Sequence, residues 1–364
     1  MTRMKARRMV GGWFLFLLLP AMLAAKTVEE SLAELERLPA PQRQRLLVER
    51  ARSEGRIGWY GNYNLDQATT LKDAFEKKYP PIQIDYWRGS GNKVVDRILN
   101  ETRAGRWDVD VIFAGDVGTY ILMQAGVVGR YRSPERMGYS ARSVDKEGYW
   151  SGLTFGPSIL AYNTKLVKEA EVPKSYEDFL HPRWRGEMAI DMEADRVVSA
   201  WLILWGEQKT VEYLKALMAN KPIVRKGHTL LTQLLCGGEF KVAPELYAYQ
   251  VTRMKREKGC PIDFRYPDPT PASITPVAVA KNPPHPFAAA LFVDFLLSAE
   301  GQNIFAAVGR IPARRGIKAQ YPDISNIEER GIKLLLMTPE EEGKWQEKSF
   351  KLVEEYIVRK RATE

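Results

Sequence analysis

Short apolar strand-like runs alternate with helical stretches along most of this 364-residue chain, and the links between them are only a few residues long. Residues 56–60, 82–87 and 109–113 read as strands; 65–79, 93–104 and 119–125 read as helices. Two parallel strands need a crossover between them, usually a helix, so this alternation predicts an α/β fold with parallel-rich sheets covered on both faces. The pattern resumes with strands at 188–191 and 222–225 and helices at 197–205, 211–220, 229–235 and 246–258. Residues 267–276 hold four prolines and read as an extended crossing, followed by a strand at 274–280. Helices at 285–298 and 301–308 and a charged amphipathic helix at 339–359 complete the chain. Upstream, Leu32, Leu35 and Leu38 recur at helical spacing. Pro39 and Pro41 break the run, and Leu46, Leu47 and Ala51 resume it, which predicts a helical hairpin over 26–53.

Residues 1–25 are different in kind. Arg3, Lys5, Arg7 and Arg8 precede a short apolar run and small residues ending at Ala25, the layout of a cleaved secretory signal. An uncleaved membrane anchor is the alternative. The net charge of +9 falls to +5 without this segment. The densest basic run, Arg253 to Lys258, also carries Glu257 and reads as a solvated helix face, so no nucleic-acid partner is expected. Cys236 and Cys260 are open to a bridge, but two separate buried thiols are the favoured reading. Three scattered histidines and two cysteines make a His- or Cys-based metal site unexpected, and no cofactor is foreseen. No nucleophile elbow, phosphate loop, dinucleotide fingerprint or zinc-protease motif occurs, so catalysis is not expected.

Ligands of open α/β sheets bind at the carboxyl ends of the strands, where helix N-termini offer unpaired N–H groups. Three strand ends stand out. Tyr60, Asn62 and Tyr63 either line a pocket or form a solvated turn capped by Asn64. Arg88, Ser90, Gly91 and Asn92 combine a guanidinium, a hydroxyl and a flexible backbone suited to an anion, or form a capping turn. Asp116 either caps the next helix, the favoured reading, or faces a cleft.

From about Leu46 to Tyr321 the chain resembles the family 1 extracellular solute-binding proteins of ABC importers, ferric-iron-type branch. The resemblance is carried by residues 45–60, Gly89-Ser90-Gly91 with Arg97-Ile98-Leu99-Asn100-Glu101, Asp108-Val109-Asp110-Val111-Ile112, Ala161-Tyr162-Asn163-Thr164, the turn His181 to Glu187, and His285-Pro286 with Asp294 to Gln302. It implies a two-lobed periplasmic-binding-protein fold of type II. A signal at 1–25 and a hairpin at 26–53 would precede lobe one at 54–158 and 276–325. Lobe two would span 159–275, and a C-terminal helical segment at 326–364 would pack on lobe two. It implies a monomer in the periplasm, a small-molecule or metal-complex ligand held by hinge closure, and a permease partner in the inner membrane.

Ferric members hold iron with two adjacent tyrosines, helped by a His and a Glu. Here Tyr249 falls near the first tyrosine and is followed by Gln250, while Tyr247 lies two residues earlier. Lys93 takes the Glu position, and Tyr63 or Asn64 the His position. Two residues turn a helical side chain by about 200°, so Tyr247 and Tyr249 line one cleft together only if a helix starts between them. Arg88, Ser90, Lys93 and Arg196 point to an anionic organic solute. The expected contact set is Arg88, Ser90 and Arg196 with Tyr60, Asn62, Tyr63, Gly91, Asn92, Asp116, Ser158 and Tyr249. The alternatives are ferric iron, with Tyr249 as metal ligand, and, from another class, a secreted enzyme on this fold.

Overall fold

The computed structural model describes residues 26–327 and 329–359, so residues 1–25, where a secretory signal is expected, lie outside the described residues. Helices α1 (Val28–Leu32) and α2 (Ala40–Glu54) form the expected hairpin. Thr27 and Glu30 cap α1 reciprocally. Arg43 of α2 is half-buried against Asp294 at 3.0 Å and donates to the Tyr131 hydroxyl, which itself donates to Asp294. This triad fixes the hairpin to lobe one.

Lobe one follows as β1 (Arg56–Gly61), α3 (Leu65–Lys78), β2 (Gln83–Arg88), α4 (Gly91–Arg103), β3 (Val111–Phe113), α5 (Gly115–Gln124) and the short β4 (Val128–Gly129). β1 pairs in parallel with both β2 and β3. Then comes β5 (Ser151–Asn163), which periodicity does not announce and of which the resemblance marks only the end, at residues 161–164. Its Gly, Pro and Ser residues blur any alternation, yet nearly every position is buried.

Lobe two is built from β6 (Ala189–Asp191), α6 (Asp195–Ala219), β7 (Ile223–Arg225), α7 (His228–Gly237), β8 (Val242–Tyr247), α8 (Ala248–Lys258) and β9 (Ile262–Arg265). The two helices expected around 197–220 are both present within α6: they meet at Gly206, whose φ of 78° and ψ of 173° lie outside helical space and break the element in two. The helix expected over 246–258 begins only at Ala248, because Leu246 and Tyr247 pair with β5.

The chain returns through β10 (Thr270–Ala280), α9 (Pro286–Leu297), α10 (Ala299–Ala307), β11 (Ile311–Pro312), β12 (Leu334–Met337) and α11 (Pro339–Val353). β5 and β10 are the two crossings. They pair antiparallel between Ala272↔Pro157 and Val277↔Ser151. Beyond that stretch, β5 runs into lobe two beside β8 and β9, while β10 runs into lobe one beside β3 and β4. One mixed sheet thus passes through both lobes, in the order β11-β5-β10-β3-β1-β2 on its main path.

The cores divide accordingly. Trp59, Phe75, Phe113, Phe292 and Leu296 fill one side of the lobe-one sheet, and Ile98, Ile112 and Leu122 the other. Trp201, Phe179, Leu214 and Val242 pack lobe two. Each such side chain adds roughly 1.5–3 kcal/mol by leaving water. α11 belongs to both lobes: Leu352 and Val353 sit in the lobe-two core, while its first turn packs on α5. Gly343 permits that approach, since a Cβ there would lie 2.2 Å from the Tyr120 ring.

The two cysteines are joined, not separate as the sequence favoured. α7 carries Cys236 in its last turn and Cys260 sits just before β9, with their Cα atoms 5.2 Å apart. The bridge closes a loop of 24 residues' separation. Reduction is expected to cost about 3 kcal/mol, seen as a lower urea midpoint in dithiothreitol and no change in a Cys236→Ser/Cys260→Ser double variant.

Candidate functional site

Three loops and the two crossings converge between the lobes. Asn62 and Tyr63 follow β1, Gly115 and Asp116 open α5 after β3, and Tyr247 and Tyr249 straddle the β8–α8 junction. With Gly156, Ser273 to Thr275, Arg196 and Arg310 they enclose a cavity of about 130 Å³, room for roughly four waters. A narrow extension of about 10 Å³ runs on past Ser158, His228 and Glu245.

The tyrosine geometry is the exception foreseen for a helix start. Tyr247 ends β8 and α8 begins at the next residue. Their rings therefore lie together, with centroids 5.8 Å apart.

The charges are arranged in layers. Arg196, the second residue of α6, donates to Asp116 Oδ1 at 2.7 Å and to the Tyr247 hydroxyl, with Glu342 of α11 at 3.9 Å. Burial works against its charge, but Asp116, Tyr247 and Glu342 together hold its pKa above the ordinary guanidinium value. This contact joins lobe one to lobe two. Asp116 does not cap its helix, because α5 starts at Gly115 and Ala114 occupies the cap position.

His228 lies between Asp191 at 3.0 Å and Glu245 at 2.6 Å. Burial alone would lower its pKa, yet Glu245, Tyr247 and Asp191 hold it well above the usual imidazole value. Both ring nitrogens are thus engaged, which leaves no lone pair for a metal.

Arg310 is the exception to this pairing. It is 8 % exposed, its Nε finds no acceptor, and among the described residues it has no carboxylate partner. Its guanidinium carbon lies 4.5 Å from the centre of the Tyr63 ring and 4.2 Å from that of Tyr249. Cation–π contact offsets part of its desolvation but leaves its N–H groups without an anion. Burial raises the Tyr63 and Tyr247 phenol pKa values, although Arg310 and Arg196 respectively pull them back. Tyr63 also shares a hydrogen bond with Thr154 at 3.2 Å.

Of the residues singled out from sequence, Asn62, Tyr63, Asp116, Arg196 and Tyr249 line the main cavity and Ser158 its extension. The others lie elsewhere. Arg88 is spent on the Tyr63 carbonyl (3.0 Å) and Asn64 Oδ1 (3.1 Å), so Asn64 holds Arg88 and makes no side-chain cap. Ser90 caps α4, Gly91 allows close passage of the Ala114 carbonyl, and Asn92 and Lys93 point to solvent. Tyr60 bonds Glu101 and lines a separate surface hollow with Trp87 and Arg97. β2 is the edge strand, so its carboxyl end opens away from the crossings. Sequence reasoning missed Arg310 and Glu342. The signal for Arg310 was a lone cation in the apolar stretch Val308-Gly309-Arg310-Ile311-Pro312; for Glu342 there was none, since it sits among other acids.

Among the described residues no group of three or more His, Cys, Asp or Glu side chains is placed to hold a metal ion, and no helix is long and apolar enough to cross a membrane. Comparison with known proteins gives a consistent result. Residues 122–335 match the family described as bacterial extracellular solute-binding protein. Iron uptake protein A2 of Synechocystis sp. is 26% identical over 284 residues, covering 71% of this chain and 78% of that protein. The major ferric iron-binding protein of Neisseria meningitidis serogroup B is 27% identical over 278 residues, covering 72% and 79%. Iron-bound HitA from Pseudomonas aeruginosa superposes with a TM-score of 0.75 at 23% identity, over 83% of this chain and 99% of that one. AfuA from Actinobacillus pleuropneumoniae with fructose-6-phosphate superposes with a TM-score of 0.71 at 21% identity, over 84% and 98%. These two likenesses establish the two-lobed fold, and the family match establishes that this chain is a bacterial extracellular solute-binding protein.

Proposed function

We propose that this chain is the periplasmic binding component of an ABC importer, and that it captures a small anionic organic solute between its lobes. It works as a monomer, makes and breaks no covalent bond, and hands the solute to an inner-membrane permease. The observation that carries this reading is Arg310, a buried guanidinium at the cleft without a carboxylate partner among the described residues. A buried cation without a counter-ion is costly, and a ligand carboxylate or phosphate would repay that cost on binding. Closure of lobe two about β5 and β10 would shut the bound anion between the lobes, beside the Tyr249 ring that lies on Arg310.

Ferric iron with an accompanying anion is the second reading. It is favoured by the iron-binding names of the relatives and by the phenol oxygens of Tyr247 and Tyr249 at one cavity. Against it, Tyr247 is engaged by Arg196 and His228 is enclosed by two acids. A hard trivalent cation wants anionic oxygens.

Thermal-shift titration of the chain from Lys26 separates the two. Organic anions such as glycerate, glycerol 3-phosphate and citrate are expected to include a stabilising one, worth about 2.7 kcal/mol at 100 times its Kd. Ferric citrate is expected to give no tyrosinate charge-transfer colour beyond that of the citrate complex. A visible band lost in Tyr249→Phe, with no response to iron-free anions, would replace this reading by the iron one.

A further inference from the structure

The cleft holds unmet acceptors as well as an unmet cation. Asp116 is 1 % exposed; its Oδ1 takes Arg196 and the Val117 N–H, but its Oδ2 has no partner. Asn62 Oδ1 is likewise buried without a partner. Both residues line the same cavity as Arg310, whose Nε is also unsatisfied. Buried polar groups are nearly always paired, and three of the unpaired ones belong to residues that line this one cavity, where a ligand could satisfy them. Arg310 asks for an anionic group. Asp116 and Asn62 ask for hydrogen-bond donors, which a bare carboxylate or phosphate does not carry.

Resting on the reading above, we propose that the solute is a small anion that also bears a hydroxyl or ammonium donor, and that Asp116 and Asn62 select for that donor. The anion sits on Arg310 and the donor faces the α5 and β1 loops. An analogue without the donor leaves the carboxylate oxygen and the amide oxygen buried and unpaired, and such sites reject the lacking analogue strongly.

The test uses matched pairs on the intact chain, by calorimetry or thermal shift: glycerate against propionate, serine against propionate, and glycerol 3-phosphate against propyl phosphate. In at least one pair the donor-bearing member is expected to bind at least about tenfold more tightly. A preference for serine alone identifies an ammonium, and a preference in the other pairs identifies a hydroxyl; both support the proposal. Asn62→Ala and Asp116→Ala are each expected to bring the ratio to about threefold or less. The ratio is the readout, because Asp116→Ala also releases Arg196 and is expected to tighten binding of the donor-free member. If both members of every responding pair bind within threefold on the unaltered chain, the donor selection is wrong and the anion reading stands. If no organic anion binds the unaltered chain, the anion reading fails and this proposal falls with it.

Discussion

Replacing Arg310 with methionine is expected to weaken capture of the anionic solute by two to three orders of magnitude while leaving the empty protein as stable as before, or more so. The two halves of this expectation come from one fact. Arg310 is buried between Tyr63 and Tyr249 with no counter-charge among the described residues. In the empty cleft its charge is a cost met only by two ring faces, and an apolar side chain of similar length removes that cost. In the proposed complex the same guanidinium would meet the solute directly, and truncating one partner of a buried, hydrogen-bonded charge pair costs about 2–5 kcal/mol. Titration calorimetry and thermal denaturation of the variant read the two halves separately. A fall in Tm together with the loss of binding would make Arg310 a structural residue. Unchanged affinity would remove it from the site.

Much of this architecture can be read from the residues, and the failures have physical causes. The β1–α3–β2–α4–β3 succession is carried by periodicity, and so is visible. β5 is buried at every position but Phe155 and needs no alternation to be stable, so Gly152, Gly156 and Pro157 hide it in a stretch that resembles a loop. The residues around Tyr247 continue a helical pattern, which predicts a helix there. Pairing of Ser158 with Tyr247 across the hinge overrides that local preference. Site residues divide in the same way. Strand ends draw attention equally when only sequence is available, but the sheet order β10-β3-β1-β2 turns only the ends of β1 and β3 toward the crossings. Arg88 therefore serves the loop below it, and Asn62 and Asp116 reach the cleft. Arg310 arrives from a segment more than 190 residues downstream of Asp116, and only the return of β10 and α10 to lobe one brings it there.

Exchanging Glu342 for glutamine is expected to flatten the loss of stability that this fold suffers as pH rises above the ordinary carboxylate range. Glu342 is fully buried in the first turn of α11, and neither carboxylate oxygen has a hydrogen-bond partner. Burial raises its pKa well above the usual value, Asp116 adds to this, and Arg196 at 3.9 Å opposes it without prevailing; Asp195 and Glu341 push the same way as Asp116. The folded protein thus keeps the proton after the unfolded chain has released it. Below the unfolded pKa of about 4.5 the group contributes no pH dependence. Above it, and up to the raised folded pKa, unfolding releases a proton and stability falls by about 1.4 kcal/mol per pH unit. Asp195, raised to about 6, and Glu54, raised to about 7, fall in the same window, so the difference between variant and parent isolates Glu342. Urea denaturation at pH 5, 6.5 and 8 checks it: the glutamine variant gains on the parent with each step upward. Equal slopes would mean that Glu342 is ionised in the folded state and held by Arg196. The first turn of α11 would then be an ionic tie between the lobes, where the raised pKa describes a neutral side chain packed beneath the Asp116–Arg196 pair.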